Sequence, residues 1–372
     1  MSNNKKISSR KRGLLMKKVA VAVIFLFLIN LSAAGTAIGA KEPELAKGSV
    51  FIDNQPTKTE YLLQDGHLLV PALFFKHTGV LVDESNKYHS IIFRSGNVKF
   101  AIPIGKSYAD HYVGTKAWKR SNLSTKTIEK NGKVFVPLVD VGKKLDMEVT
   151  YNSKTSQTFV TTNIPKPPKG ISKGSSDKKL VALTFDDGPD DYFTPKILDI
   201  LKKKDVKATF FVMGKHVTEF PDMMKRIVKE GHAIGNHTQN HPLLPNKMSA
   251  DVYQEIASTQ TALEKTVGLK PDIFRPPYGA ITKTDAWILH KMGLRAITWS
   301  VDSEDWEGKT AEEIVTTVNR EISPGGIILQ HNFPSKDRQI LAGSVKSLPD
   351  IIDDLREKGY QFVTVQTLLD QG

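Results

Sequence analysis

Leu180-Val181-Ala182-Leu183-Thr184-Phe185-Asp186-Asp187-Gly188-Pro189 runs from an apolar stretch straight into two adjacent carboxylates and a Gly-Pro turn. The apolar half reads as a strand, and the turn closes it. Downstream, further strand-like runs fall at 208–213, 233–236, 273–275, 295–301, 326–330 and 362–365. Amphipathic stretches at 194–203, 217–230, 251–267, 283–291, 311–321 and 344–358 fill the gaps. Strands alternating with helices in this way predict an α/β barrel or a doubly wound sheet. Both architectures build their sites where the strands end, and polar clusters follow several of these strands.

Each cluster has its own chemistry. Asp186 and Asp187 repel one another unless a cation or a base takes one of them. His237-Thr238-Gln239-Asn240-His241 places two imidazoles at i and i+4, which share a face if the segment is helical and then grip one metal ion. No Glu follows His237, so the helical zinc-protease pattern is absent. Arg275-Pro276-Pro277-Tyr278-Gly279 offers a guanidinium able to hold a carboxylate by two parallel hydrogen bonds. Asp302-Ser303-Glu304-Asp305-Trp306 and Leu329-Gln330-His331 supply an Asp to orient a His. Taken singly, these residues also read as capping acids, a surface arginine and a satisfied buried histidine.

Together and in this order, the five pieces resemble the polysaccharide deacetylase family, the NodB-homology domain of carbohydrate esterase family 4, over 180–372. The resemblance implies a distorted (β/α) barrel, a divalent metal usually taken as zinc, and hydrolytic removal of acetyl groups from N-acetylated sugars in a polymer. By position, it implies Asp187, His237 and His241 as metal ligands and Asp186 as general base, oriented by Arg275. It implies His331 as general acid, tuned by Asp305. Tyr278, Trp306 and Leu329 would border the substrate, with Trp306 and Leu329 walling the acetyl methyl group.

Upstream, Ile164-Pro165-Lys166-Pro167-Pro168-Lys169-Gly170 begins a segment, 163–179, that reads as a solvated linker. Such a linker predicts that the unit beginning near Ser172 folds by itself. Before it, Asp65-Gly66-His67-Leu68-Leu69-Val70-Pro71 repeats as Asn131-Gly132-Lys133-Val134-Phe135-Val136-Pro137. Each copy reads as turn, strand, short helix and strand, giving a small α+β accessory domain over 48–162 that resembles the amino-terminal-like domain of copper amine oxidases. His67, His77, His89 and His111 lack metal-ligand spacing, so no copper site is expected there.

The first eighteen residues carry seven basic groups and no acid, ahead of an apolar run at 19–31 and small residues at 32–40. This is the layout of a signal peptide or a retained membrane anchor, and it predicts an exported protein, secreted or attached to the outer face of the membrane or cell wall. The formal charge of +12 on 372 residues sits almost wholly in this leader and the linker, so no nucleic-acid partner is expected. Hydrophobic residues at 40% and charged residues at 25% describe a soluble globular chain. The absence of cysteine excludes disulfides and thiolate metal sites, leaving His, Asp or Glu as ligands.

Export and an accessory unit favour cell-wall peptidoglycan as the polysaccharide substrate, at N-acetylglucosamine or N-acetylmuramic acid. Chitin oligomers and O-acetylated glycans are alternatives. A non-catalytic wall-binding protein is a further alternative, against which the intact set of acids, bases and ligands stands. Nothing in the sequence calls for an obligate protein partner.

Overall fold

The computed structural model describes residues 45–113, 117–175, 177–334 and 337–371, so the leader at 1–40 lies outside the described residues. Strand Leu180–Asp186 is buried at every position, as the central strand of a parallel sheet covered on both faces must be. Across the sheet the order is Arg295–Ala296, Ile273–Phe274, Ala233–Asn236, Thr209–Val212, Leu180–Asp186, Gly326–His331 and Val301–Asp302, all parallel. Gln361–Phe362 adds to the start of the Leu180–Asp186 strand.

The single strand expected from Arg295 to Val301 is two short ones. Arg295 and Ala296 pair with Ile273 and Phe274, whereas Val301 and Asp302 pair with Ile328 and Leu329. One stretch of chain therefore leaves one edge of the sheet and enters the other, which requires the sheet to curl. The result is an α/β fold with a curled parallel half-barrel.

The expected solvated linker is anchored at this seam. Ile171 donates to the Ala296 carbonyl and accepts from the Thr298 amide, each at 2.8 Å, and Gly174 donates to the Gly325 carbonyl. Ile171 also packs beside Ile297 and Val365, and that apolar contact is why the segment adheres. The helix expected over 217–230 is likewise divided, into Gly214–Glu219 and Pro221–Lys229. Pro221 cannot donate to the preceding turn and instead starts a new helix.

The two repeat copies meet. Strands His67–Pro71 and Lys133–Pro137 pair antiparallel with Val70 opposite Val136, the equivalent residue of each copy. Each strand feeds a short helix, Ala72–Thr78 and Leu138–Lys144, then a further strand, Leu81–Ser85 and Glu148–Asn152. A seven-stranded and a five-stranded sheet enclose one apolar core that includes Phe75, Phe93, Phe100 and Val141.

Candidate active site

A cleft of about 500 Å³ opens at the carboxyl ends of the half-barrel strands, lined by Asp186, Asp187, His237, His241, Tyr278, Trp306, Leu329 and His331 among others. A second hollow of about 670 Å³ lies beside Lys202, Lys225 and Arg226, but among the described residues its acids and His232 form no group able to hold a metal ion. Its Lys225 and Arg226 are already matched to Asp222, Asp199 and Glu230.

At the end of the central strand, Asp187 adopts φ of 77°, and this turns neighbouring carboxylates in different directions. Asp186 faces Arg275, while Asp187 faces the histidines. Only glycine fits next, because a Cβ on Gly188 would collide with the buried Asn332 amide. Asn332 itself accepts from the Gly188 amide and donates to Thr194, fixing the turn.

His237 and His241 converge, but not on a helix. The segment is a loop in which Thr238 and His241 have φ of 67° and 57°, so a turn rather than helical periodicity brings the rings to 4.9 Å. Thr238 has its amide held by Asn236 and accepts from the His241 amide through Oγ1, which fixes that turn. His237 Nδ1 donates to the Arg275 carbonyl at 2.6 Å, leaving Nε2 to face Asp187.

Asp187 Oδ1 lies 3.4 Å from Nε2 of both His237 and His241, is buried, and has no hydrogen-bond partner among the described residues. All three ligand atoms lie within 4.8 Å of one another. Ligand atoms in a tetrahedral site with bonds of about 2.0–2.1 Å stand about 3.4 Å apart, so this cluster suits a divalent cation. Burial alone would raise the Asp187 carboxyl, but the close approach and charge of His237, with His331 and His241 behind, hold it well below the usual carboxylate range. Burial, then the neighbouring His237, push the His241 ring down, which favours the neutral form that a metal ligand requires.

Arg275 is wholly buried and stacked 4.1 Å over the Phe211 ring. Its contact with Asp186 is a single hydrogen bond of 2.7 Å rather than the expected parallel pair. The same Nη1 also donates to Thr184, and Nη2 donates to the Thr298 carbonyl. The fork is thus spread over three residues of two segments, and one Asp186 oxygen is left toward the cleft, 3.8 Å from His237.

On the opposite wall, Asp305 is fully buried and its Oδ1 meets His331 Nδ1 at 2.7 Å. Burial opposes charge on His331, but Asp305, by charge and hydrogen bond, with Asp187 and Asp186 behind, pushes it up to about 9. Ser344 donates to Asp305 Oδ2 from the helix Ala342–Glu357, a support that no sequence signal announced. Thr184 stands within the quoted motif, yet its role as a second Arg275 partner emerges only in three dimensions. Tyr278 takes φ of 58°, is largely exposed and packs on His241 at 4.7 Å. Trp306 is half-exposed and Leu329 buried, and both border the cleft.

A parallel α/β half-barrel with a His/His/Asp cluster between a carboxylate and an Asp-oriented histidine defines a hydrolase site with a seat for a cation. The polysaccharide deacetylase profile matches residues 173–297. The chain is 45% identical over 196 residues to a peptidoglycan-N-acetylglucosamine deacetylase of Bacillus cereus, spanning 52% of this chain and 70% of that one. It is 39% identical over 191 residues to the peptidoglycan-N-acetylmuramic acid deacetylase PdaC of Bacillus subtilis, of which it spans 39%.

Among solved structures, the Bc1960 peptidoglycan N-acetylglucosamine deacetylase superposes with a TM-score of 0.52 at 42% identity, over 54% of this chain and 92% of that one. BA3943, a CE4 family pseudoenzyme from Bacillus anthracis, superposes equally at 0.52 with 29% identity, over 63% of this chain and 80% of that one. The chain belongs to the polysaccharide deacetylase family, hydrolases that act on amide bonds and are in general metal dependent.

Proposed function

We propose that this protein removes acetyl groups from N-acetylated sugars of peptidoglycan, using a divalent cation, zinc by preference, held by Asp187, His237 and His241. The observation that carries the reading is the buried Asp187 oxygen, without a hydrogen-bond partner among the described residues, 3.4 Å from two imidazole nitrogens, with Asp186 beside it and His331 across the cleft. A cation bound there supplies Lewis acidity toward water and the acetyl carbonyl.

The chain's own residues do the rest. Asp186, steadied by Arg275, accepts the proton of the attacking water. His331, kept protonated by Asp305, donates a proton to the departing nitrogen, which cannot leave as an amide anion. The Pro276-Pro277-Tyr278 turn borders the carbonyl, while Trp306 and Leu329 enclose the methyl group.

Peptidoglycan is supported by the relatives named for that polymer. The basic and apolar leader supports action outside the cytoplasmic membrane, and the paired repeat supports the resemblance to an accessory domain. A family fold that also accommodates a pseudoenzyme makes the complete residue set the deciding feature. Incubation with purified peptidoglycan, followed by acetate assay and mass spectrometry of the released muropeptides, tests the reading. Loss of acetyl from glucosamine or muramic acid supports it and names the sugar, whereas intact acetylation throughout contradicts it.

A further inference from the structure

The ammonium of Lys76, from the N-terminal unit, is buried in the other unit with no exposed surface. It donates to the carbonyls of Leu244 and Lys247 at 2.8 and 2.7 Å and pairs with the equally buried Asp285 at 2.9 Å. The first two contacts are hydrogen bonds to backbone and the third is a buried ion pair. Burying a lysine is costly unless every donor is met, and here two of its partners are backbone groups of one loop. That loop begins at His241.

From Leu244 to Ala250 this segment is gripped by the N-terminal unit. Leu244 packs with Leu81, and Met248 packs against the N-terminal core. Ser249 Oγ accepts from the Val82 amide, and Asp83 accepts from the Ala250 amide. On the near side, His241 is tied through Thr238, and Asn240 through Glu255. The far side has Lys76.

We propose that Lys76 is a positioning residue for the metal site. By clamping the Leu244 and Lys247 carbonyls, it sets where the loop places His241, so the N-terminal unit is part of the catalytic apparatus rather than a detachable module. The inference rests on the metal-site reading above. Outer groups that orient metal ligands are worth about 10–100-fold in metal affinity, and that is the effect expected of Lys76.

The test uses the full chain, titrating the metal-free protein with cobalt(II) and reading its visible absorption, alongside thermal unfolding. Lys76→Met is expected to lower both stability and cobalt affinity, the latter about 10–100-fold. In Lys76→Met/Asp285→Asn the unpaired buried charge is removed as well, so stability recovers in part while affinity stays low. Cobalt affinity equal to that of the unmodified chain in either folded variant overturns the proposal and leaves the metal reading standing. No cobalt binding by the unmodified chain overturns both.

Discussion

Asp305 holds His331 twice: its Oδ1 lies 2.7 Å from the ring Nδ1 and its Oδ2 accepts from the His331 backbone amide at 2.8 Å. One carboxylate thus fixes both the ring's charge and the point where its strand ends. The proton on Nδ1 is committed to Asp305, so only Nε2 is available to the cleft.

In the proposed reaction His331 is the general acid and must enter protonated, so activity is expected to fall as pH rises through its pKa, about 9 in the metal-free site. Asp305→Asn removes the chief raising influence and is expected to move the alkaline limb down by about one unit or more. A pH profile of kcat/KM on both proteins checks this.

The same raised pKa acts on stability. In the metal-free protein the protonated His331 stabilises the fold fully below its unfolded value of 6.5, and that contribution is lost as pH rises through about 9. Melting temperature is expected to decline across that window, with a shallower decline in Asp305→Asn. Calorimetric scans at several pH values measure it.

In the proposed reaction Asp186 and Asp187 are neighbours with different work. Asp186→Asn is expected to keep the cation and lose about 10²–10⁴-fold in turnover, the usual worth of a positioned proton acceptor. Asp187→Asn is expected to lose the cation first. Metal analysis beside turnover on both variants decides, and a metal-free Asp186→Asn with a metal-loaded Asp187→Asn reverses the assignment.

Arg275→Met leaves the buried Asp186 without its ion-pair partner, and breaking such a pair costs about 3–5 kcal/mol. Urea unfolding is expected to show that loss together with loss of activity. A variant as stable as the parent chain would mean Asp186 is held by other contacts.

Gly188→Ala places a methyl group against the buried Asn332 amide. About 1–3 kcal/mol of destabilisation is expected from the forced shift, with lower turnover because the same turn carries Asp186 and Asp187. Denaturant melts and kinetics on that variant test both parts.

The site was legible because its chemistry is concentrated at strand ends, where Asp186-Asp187, His237, Arg275 and His331 each follow a recognisable apolar run. The spacing of His237 and His241 pointed to one ion, yet the geometry is a turn set by Thr238, which helical periodicity does not anticipate. Arg295 to Val301 looked like one strand because local pattern carries no information about which neighbour each end pairs with. Ile171 sat in linker composition, and only its fit beside Ile297 reveals that it is anchored. Lys76 had no local signal, since its partners Leu244, Lys247 and Asp285 are remote in the chain.

The most direct test of a cation-dependent deacetylase is acetate release from N-acetylated peptidoglycan by chelator-stripped protein, before and after adding back zinc. Negligible release from the stripped protein, with activity restored as loading reaches one ion per chain, is the expected result. Undiminished release after stripping, or no release from folded protein at any zinc loading, would contradict the account.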